Sequence, residues 1–191
     1  MSRPRKDDPD QAAIHKIDAA FWTLLDQVGF AGITMKLLAA EAGVNRNTLY
    51  YHYANLQEVA EAAFQSVISD AVSDLFVDTI LALPAGIDEI WDQVQLSNRL
   101  GKLHLFAKSE SPLLRSMLKD ALTARWFQKL DIHPETLTPL DWLQIDYIVN
   151  GLVGVFGRSD AAENRTLLAA FPQTPIGKAA VQTLLRFSGN R

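Results

Sequence analysis

Apolar residues recur at steps of three and four positions through most of this chain, which is the period of an amphipathic α-helix. The first such stretch covers residues 10–29 and carries Ile14, Ile17, Phe21, Leu24, Leu25 and Val28. Later stretches predict a long helix from Asn55 to a break at 83–86, and helices over 87–107, 139–157 and 175–188. Residues 112–130 are expected to be helical as one or two segments. No segment alternates as a strand would, so the pattern predicts an all-α protein.

Residues 34–53 carry signals for two short helices joined by a tight turn. Thr34 and Asn45 are good N-cap residues, and Gly43 stands where a helix ends in a left-handed residue. A buried face is expected from Leu37, Leu38 and Ala42 on the first helix and from Leu49 and Tyr53 on the second. The arrangement predicts a helix-turn-helix, whose second helix enters the major groove of DNA.

The outward positions of the second helix have the chemistry of base recognition. Arg46 can donate two hydrogen bonds to guanine O6 and N7, and Asn47 can bridge adenine N6 and N7. Tyr50 lies four residues from Arg46 and shares its face. Lys36, on the first helix, is a further candidate for the same role. Tyr53 is expected to be an ordinary core aromatic residue.

The stretch resembles the DNA-binding signature of TetR/AcrR-type bacterial transcriptional regulators. It reads Gly-Ile-Thr-Met-x-x-Leu-Ala-x-Glu-Ala-Gly-Val-Asn-Arg-Asn-Thr-Leu-Tyr-Tyr-His-Tyr, and the similarity covers residues 12–64. The resemblance implies operator DNA as a partner, contacted by Thr34, Lys36, Asn45, Arg46, Asn47, Thr48, Tyr50, Tyr51 and His52. In this set Thr34, Thr48, Tyr51 and His52 are expected to hold the DNA backbone. Family members often place a lysine where this chain has Leu56, so one phosphate contact is expected to be missing.

The charge balance is weak for a nucleic-acid-binding protein. The formal net charge is −4, and residues 1–60 carry six Lys and Arg against seven Asp and Glu. Any affinity for DNA must therefore come from where the charges lie. A shallow dependence of that affinity on salt is expected, since each neutralised phosphate adds about 0.9 to the slope.

The length of 191 residues suits a small head and a larger helical body. The expected division is a flexible basic arm over 1–9, a DNA-binding domain over 10–56, and an effector-binding and dimerisation domain over 57–191. Because one long helix begins at the boundary and serves both parts, its tilt is expected to couple them.

Three glycines at three-residue steps, Gly151, Gly154 and Gly157, lie in the predicted helix 139–157. Glycine costs about 1 kcal/mol inside a helix, and close helix–helix approach is the plausible compensation. The resemblance implies a homodimer in which the last two helices of each subunit pair. The expected interface residues are Gly151, Gly154, Val155, Val181, Leu184 and Leu185; a monomer with a glycine-rich core helix is the alternative.

Aromatic residues of the body are candidates for an effector pocket, because ligand sites are mostly apolar with few polar groups. The candidates are Trp91, His104, Phe106, Trp126 and Phe127. Aromatic residues at helical spacing are usually core residues, and this is the stronger alternative for each of them.

Other functions receive little support from the sequence. It has no cysteine, no Gly-x-Ser-x-Gly or phosphate-binding loop, and no paired histidine motif, so neither an enzyme, a metal site nor a cofactor is expected. No apolar run reaches the roughly 20 residues that span a bilayer, and a bacterial cytoplasmic, nucleoid-associated protein is expected. The favoured function is a ligand-responsive repressor that binds a palindromic operator as a homodimer. The alternative is a helical small-molecule or protein-binding module whose head does not read DNA.

Overall fold

The computed structural model describes residues 9–68, 94–158 and 170–188, together with Asp78 and residues 166–167. Throughout these ranges the regular structure is helical, so the predicted all-α class is confirmed. The predicted basic arm, Trp91, and the far part of the long helix after Asn55 lie outside the described residues.

Eight α-helices and two short 3₁₀ turns are described. The helices are α1 (Pro9–Gly32), α2 (Met35–Glu41), α3 (Arg46–His52), α4 (Leu56–Val67), α5 (Val94–Lys108), α6 (Pro112–Leu130), α7 (Pro139–Arg158) and α8 (Pro175–Arg186). The 3₁₀ turns are Pro134–Thr136 and Phe171–Gln173. The helices predicted over 112–130, 139–157 and 175–188 are found within about two residues of these bounds, and the region after Ser111 forms one helix. The start of the helix predicted over 87–107 lies outside the described residues.

The chain divides into two compact units, Met1–Ser66 and Val67–Arg191, which we call the head and the body. The first unit runs past the boundary expected after residue 56. Helix α4 explains the difference, since its Val59, Ala60, Ala63 and Phe64 are buried. Hydrogen bonds like those of a capping box fix its start: Asn55 Oδ1 accepts from the Glu58 N–H at 3.0 Å, and Glu58 Oε2 accepts from the Ala54 N–H at 2.7 Å.

Helix α1 changes direction at Gly29, where the sequence predicts a helix end. This residue has φ 68° and ψ 166°, a conformation open essentially to glycine. The regular helix therefore ends at Val28, whose side chain is exposed and does not contribute to the apolar face. Ile17, Phe21 and Leu24 are buried as predicted, and α1 packs against both α2 and α3.

The turn between α2 and α3 is fixed by backbone hydrogen bonds. The Val44 N–H donates to the Ala39 carbonyl at 3.1 Å, and the Gly43 N–H donates to the Ala40 carbonyl at 3.2 Å. These two bonds form a Schellman motif around Gly43, whose φ is 61°. The left-handed glycine that the sequence predicts is therefore what aims α3 away from α2.

The described part of the body is built on α5, α6 and α7, which pack against one another, while α8 lies on α7. Its core takes one stripe from each helix: Leu100, Leu103 and Phe106; Leu114, Leu118, Leu122 and Trp126; Ile145, Val149, Leu152 and Phe156; Ala180 and Leu184. Gly157 allows a close approach within the chain. A Cβ at that residue would lie 2.5 Å from the backbone of Ala107.

A capping box at the start of α7 stabilises a carboxylate. Asp141 Oδ2 accepts from the hydroxyl and the N–H of Thr138, at 2.7 and 3.0 Å. These hydrogen bonds, with the Arg186 guanidinium as a smaller contribution, hold the pKa of Asp141 below its usual value. Arg186 also donates to Gln144 Oε1 at 3.0 Å, which ties the end of α8 to the first turns of α7.

Candidate nucleic-acid interface

The exposed face of α3 is centred on two residues that lie opposite its buried anchor. Leu49 is fully buried against the rest of the head. Since each residue turns an α-helix by about 100°, Asn47 and Tyr51 point most directly away from Leu49. Arg46 and Tyr50 flank them on one side. The face thus combines a guanidinium, a carboxamide and two phenols on a single helix of seven residues.

Both tyrosines on this face are exposed. Tyr50 is 53% exposed and Tyr51 76% exposed, although an aromatic ring usually finds burial in a folded head. Arg46, Asn47 and Lys36 are exposed as well, and Thr48 is half-buried. Arg46, Asn47 and Tyr50 therefore lie together on the outer face of α3, and Tyr51, assigned by the sequence analysis to the DNA backbone, lies nearer the centre of that face.

Thr34 and Asn45 are exposed residues whose side chains cap the two helices. Thr34 Oγ1 accepts from the Leu37 N–H at 3.1 Å, and Asn45 Oδ1 accepts from the Asn47 N–H at 2.9 Å. Each cap satisfies one backbone donor at a helix start. Thr34 retains a hydroxyl proton and Asn45 an amide group, so both can still donate to a phosphate.

His52 supports the neighbouring tyrosine. Its ring meets Tyr51 edge-on, with centroids 4.9 Å apart. Its Nε2 is buried and has no hydrogen-bond partner. In this conformation Nε2 cannot reach a phosphate, so the predicted backbone contact does not run through that atom. The ring instead limits the directions that Tyr51 can take.

Tyr53, which the sequence predicts to be an ordinary core aromatic residue, follows α3 and is half-buried. Burial, and secondly the nearby Asp18 carboxylate, raise the pKa of its phenol. Asp18 lies on α1 and accepts from the Trp22 indole Nε1 at 3.0 Å. Leu37, also predicted to be buried, is 38% exposed, because the inward direction of α2 is taken by Leu38 and Ala39.

Local charge favours DNA although the whole chain does not. Residues 34–53 contain Lys36 and Arg46 against Glu41, and two cations less one acid leave one net positive charge. Leu56, the position at which a phosphate contact is expected to be missing, begins α4 as a half-buried apolar residue. The surface is therefore mildly positive within a chain of net charge −4.

Two short helices joined by a left-handed turn, with a polar and aromatic outer face on the second, define a helix-turn-helix DNA-binding domain. Residues 17–63 match the family model described as bacterial regulatory proteins, tetR family. This match lies within the head and does not extend into the body.

Solved structures of similar proteins span almost the whole chain. A TetR family transcription regulator from Marinobacter aquaeolei VT8 shares 18% identity over 95% of this chain and 98% of its own, with a TM-score of 0.39. The repressor AlkX from Dietzia sp. strain DQ12-45-1b shares 19% identity over 95% and 97%, with a TM-score of 0.41. A gamma-butyrolactone receptor, described as ArpA-like, shares 18% over 93% and 97%, with a TM-score of 0.46. None of the curated proteins matches the chain.

The predicted effector residues lie mostly in the core of the body. Phe106 and Trp126 are fully buried, and Phe127 packs on Trp142 with centroids 5.4 Å apart. The His104 Nδ1–H donates to the Phe156 carbonyl at 2.8 Å, and the two rings meet edge-on. The indole Nε1 of Trp126 is buried with no hydrogen-bond partner.

The predicted interface residues divide between surface and core. Gly151, Gly154, Val155 and Leu185 are exposed, and Val181 is half-buried. Leu184 is fully buried inside its own subunit, so its assignment to an interface is wrong. The 3.6-residue period gives α8 an apolar stripe but does not say which edge of that stripe faces the rest of the chain.

Sequence reasoning missed Asp18 and the exposed residues at the start of α7. The four-residue spacing of Asp18 and Trp22 could have predicted their hydrogen bond within α1. The proximity of Asp18 to Tyr53 depends on tertiary packing and could not be predicted from spacing. In the part of the chain that the structure describes, no helix is long and apolar enough to span a membrane, and no group of three metal-ligating side chains occurs.

Proposed function

We propose that this chain is a sequence-specific DNA-binding transcriptional regulator that represses its target genes in response to a small molecule. The observation that carries the proposal is the outer face of α3, where Arg46, Asn47, Tyr50 and Tyr51 are exposed together. Arginine and asparagine are the side chains that read guanine and adenine in the major groove. A solvated helix with no partner has no need of two exposed tyrosines.

A homodimer follows from the size of the recognition helix. Helix α3 has seven residues and reaches few base pairs, so one head discriminates poorly between sequences. Two heads on half-sites about one helical turn apart, or a multiple, restore specificity and call for a palindromic operator. The exposed apolar residues of α7 and α8 supply a surface for this pairing.

The body is proposed to bind the effector, and α4 to transmit the signal. Helix α4 begins in the head at Leu56 and ends at Val67, the first residue of the body. A ligand that favours one tilt of this helix would favour one separation of the two heads. Its effect on DNA affinity is limited to its difference in affinity for the two states.

The proposal is tested by fluorescence anisotropy with DNA from the region upstream of the chain's own gene, against scrambled DNA of equal length. We expect Arg46→Ala and Asn47→Ala each to reduce the specific affinity by about 1–3 kcal/mol. The loss should fall on the specific DNA and leave weak binding to scrambled DNA nearly unchanged.

Lys16→Ala is the matched control for Arg46→Ala. Lys16 is an exposed cation of the head that lies on α1, outside α2 and α3. Its removal changes the net charge by the same amount and should change the specific affinity little. Equal losses in both variants would show that the head binds DNA by charge only, which would support the alternative of a head that does not read sequence.

A further inference from the structure

Trp126 places a hydrogen-bond donor in the apolar core of the body. Its side chain is fully buried, and its indole Nε1 has no hydrogen-bond partner among the described residues. A buried donor without a partner costs free energy, because it has lost its hydrogen bond to water and gained none in exchange. Such groups are rare in native proteins, so this one calls for a specific reason.

The core around Trp126 consists of apolar side chains. Trp126 continues the inward stripe of α6, four residues after Leu122. Helices α5 and α7 pack against α6, and in the described parts of these three helices every other buried side chain is apolar. The carbonyl groups inside a helix are already occupied by its own hydrogen bonds. The indole N–H is therefore left for a group that these helices do not provide.

The same surroundings narrow the chemistry of that group. A buried water molecule is held by about two to four polar partners, and the described core offers it one, the indole itself. A charged ligand is disfavoured, since an ion without a counter-charge is far costlier to bury. A neutral and largely apolar molecule with one acceptor oxygen satisfies both the donor and its apolar neighbours.

We propose that Trp126 Nε1 donates a hydrogen bond to the effector, and that the effector is a neutral apolar molecule with a carbonyl oxygen, such as a ketone or an ester. The proposal rests on the proposed function, in which the body binds an effector, and names the effector's chemical class and the side chain that selects it. Because the indole is enclosed, the oxygen reaches it only when α6 and the neighbouring helices repack. Binding is thus coupled to a change of shape in the body, as a ligand-responsive regulator requires.

Isosteric pairs of small probes test the role of the N–H. Each ketone is compared with the olefin in which a methylene group replaces the carbonyl oxygen. The series runs from cyclohexanone and acetophenone, paired with methylenecyclohexane and α-methylstyrene, to long-chain methyl ketones. The rise in unfolding temperature at equal probe concentration reports the affinity for the folded chain. We expect the best-bound ketone to bind about tenfold more tightly than its olefin, the effect of one hydrogen bond.

Trp126→Phe removes the N–H and keeps an apolar ring at the same position. It should bind ketone and olefin equally, so the tenfold preference disappears whatever the smaller ring does to both affinities. Trp142→Phe is the matched control, because it makes the same substitution at a tryptophan of α7 that is 37% exposed, and it should retain the preference. If Trp126→Phe does not fold, benzothienylalanine at position 126 gives the same comparison, since sulfur replaces the N–H at nearly equal size.

Equal affinity of the wild type for ketones and olefins would overturn the proposal, and so would a preference that survives in Trp126→Phe. Failure of every ketone in the series to stabilise the wild type would overturn it as well. Operator binding is measured separately by anisotropy, and a ketone that binds without changing it would overturn the role as an effector. A chain that binds its operator specifically but does not prefer ketones would refute only the effector class, whereas absence of sequence-specific DNA binding would refute the proposed function.

Discussion

Tyr51 of the head and Tyr147 of the body are almost equally exposed, at 76% and 77%, yet their surroundings differ completely. Tyr51 shares its face with Asn47, near Arg46. Tyr147 shares its face with Leu143 and two glycines. An exposed aromatic ring identifies an interaction surface, but its neighbours indicate the partner. Polar groups and a cation suit DNA, whereas apolar bulk beside a notch suits another protein surface.

The largest expected effect is a loss of dimer strength when a charge is placed at Tyr147, on the exposed face of α7. Tyr147→Asp would bury an unpaired carboxylate in the proposed dimer interface, and we expect the dimer to weaken by about 3 kcal/mol or more. Sedimentation at graded concentrations measures this change. Operator binding should fall with it and recover at high protein concentration. A dimer of unchanged strength would remove Tyr147 from the interface.

The matching change in the head should act on DNA and not on assembly. Tyr51→Ala should weaken operator binding by about 1–2 kcal/mol, the range of one good contact to DNA, and leave the dimer Kd as it is. Anisotropy and sedimentation on the same preparation separate the two effects. If Tyr51→Ala weakened the dimer, or Tyr147→Ala weakened DNA binding at saturating dimer, the assignment of the two faces would be wrong.

Two glycines of α7 should respond in opposite directions to the same substitution. Gly157→Ala forces a Cβ to within 2.5 Å of the Ala107 backbone, and we expect the free energy of unfolding to fall by about 1–3 kcal/mol. Gly154→Ala meets no atom and should raise it by about 1 kcal/mol in the isolated subunit. Chemical denaturation at low concentration measures both values. A loss of similar size in both variants would show that the two glycines do not differ in role.

The head and the body should also differ in their response to pH. The pKa of Tyr53 is raised on folding, so its contribution to stability is present below about pH 10 and is lost as the pH rises through the raised value. Tyr53→Phe should remove this alkaline loss from the head. Denaturation of wild type and variant between pH 8 and 11, followed at the head, is the measurement, and identical slopes would contradict it.

The smallest expected effect is a change in the stability of the body at acid pH, caused by a substitution at the start of α7. The pKa of Asp141 is lowered on folding, so its contribution is present above the unfolded value and is lost as the pH falls through the lowered one. Thr138→Ala removes the main cause and should flatten the acid side of the stability curve of the body. An unchanged acid limb in this exposed variant would show that the capping box contributes nothing measurable.

The helix ends and the turn of the head could be predicted from the sequence because they depend on local hydrogen bonds. The caps at Thr34, Asn45 and Asn55 and the left-handed turn at Gly43 involve groups only two to five residues apart, so residue type and spacing suffice to predict them. The sequence does not show which leucine of a neighbouring pair is buried, as at Leu37 and Leu38 and at Leu184 and Leu185. Helical periodicity gives an apolar sector, and only tertiary packing decides which edge of that sector is buried. Gly154 and Gly157 show the same limit of sequence-based prediction. They are identical residues three positions apart, yet Gly154 faces open space and Gly157 faces the backbone of Ala107.

The reading of DNA by α3 is the central claim, and one titration tests it most directly. Fluorescence anisotropy of the wild-type chain and of Arg46→Ala on upstream DNA and on scrambled DNA, across a salt series, separates specific from charge-driven binding. We expect the wild type to prefer the upstream DNA with a shallow dependence on salt, and Arg46→Ala to lose that preference while remaining folded and dimeric. The claim would be contradicted if the wild type bound upstream and scrambled DNA equally, and if Arg46→Ala did the same. A set of genomic fragments, all bound equally by the wild type, would exclude an operator elsewhere.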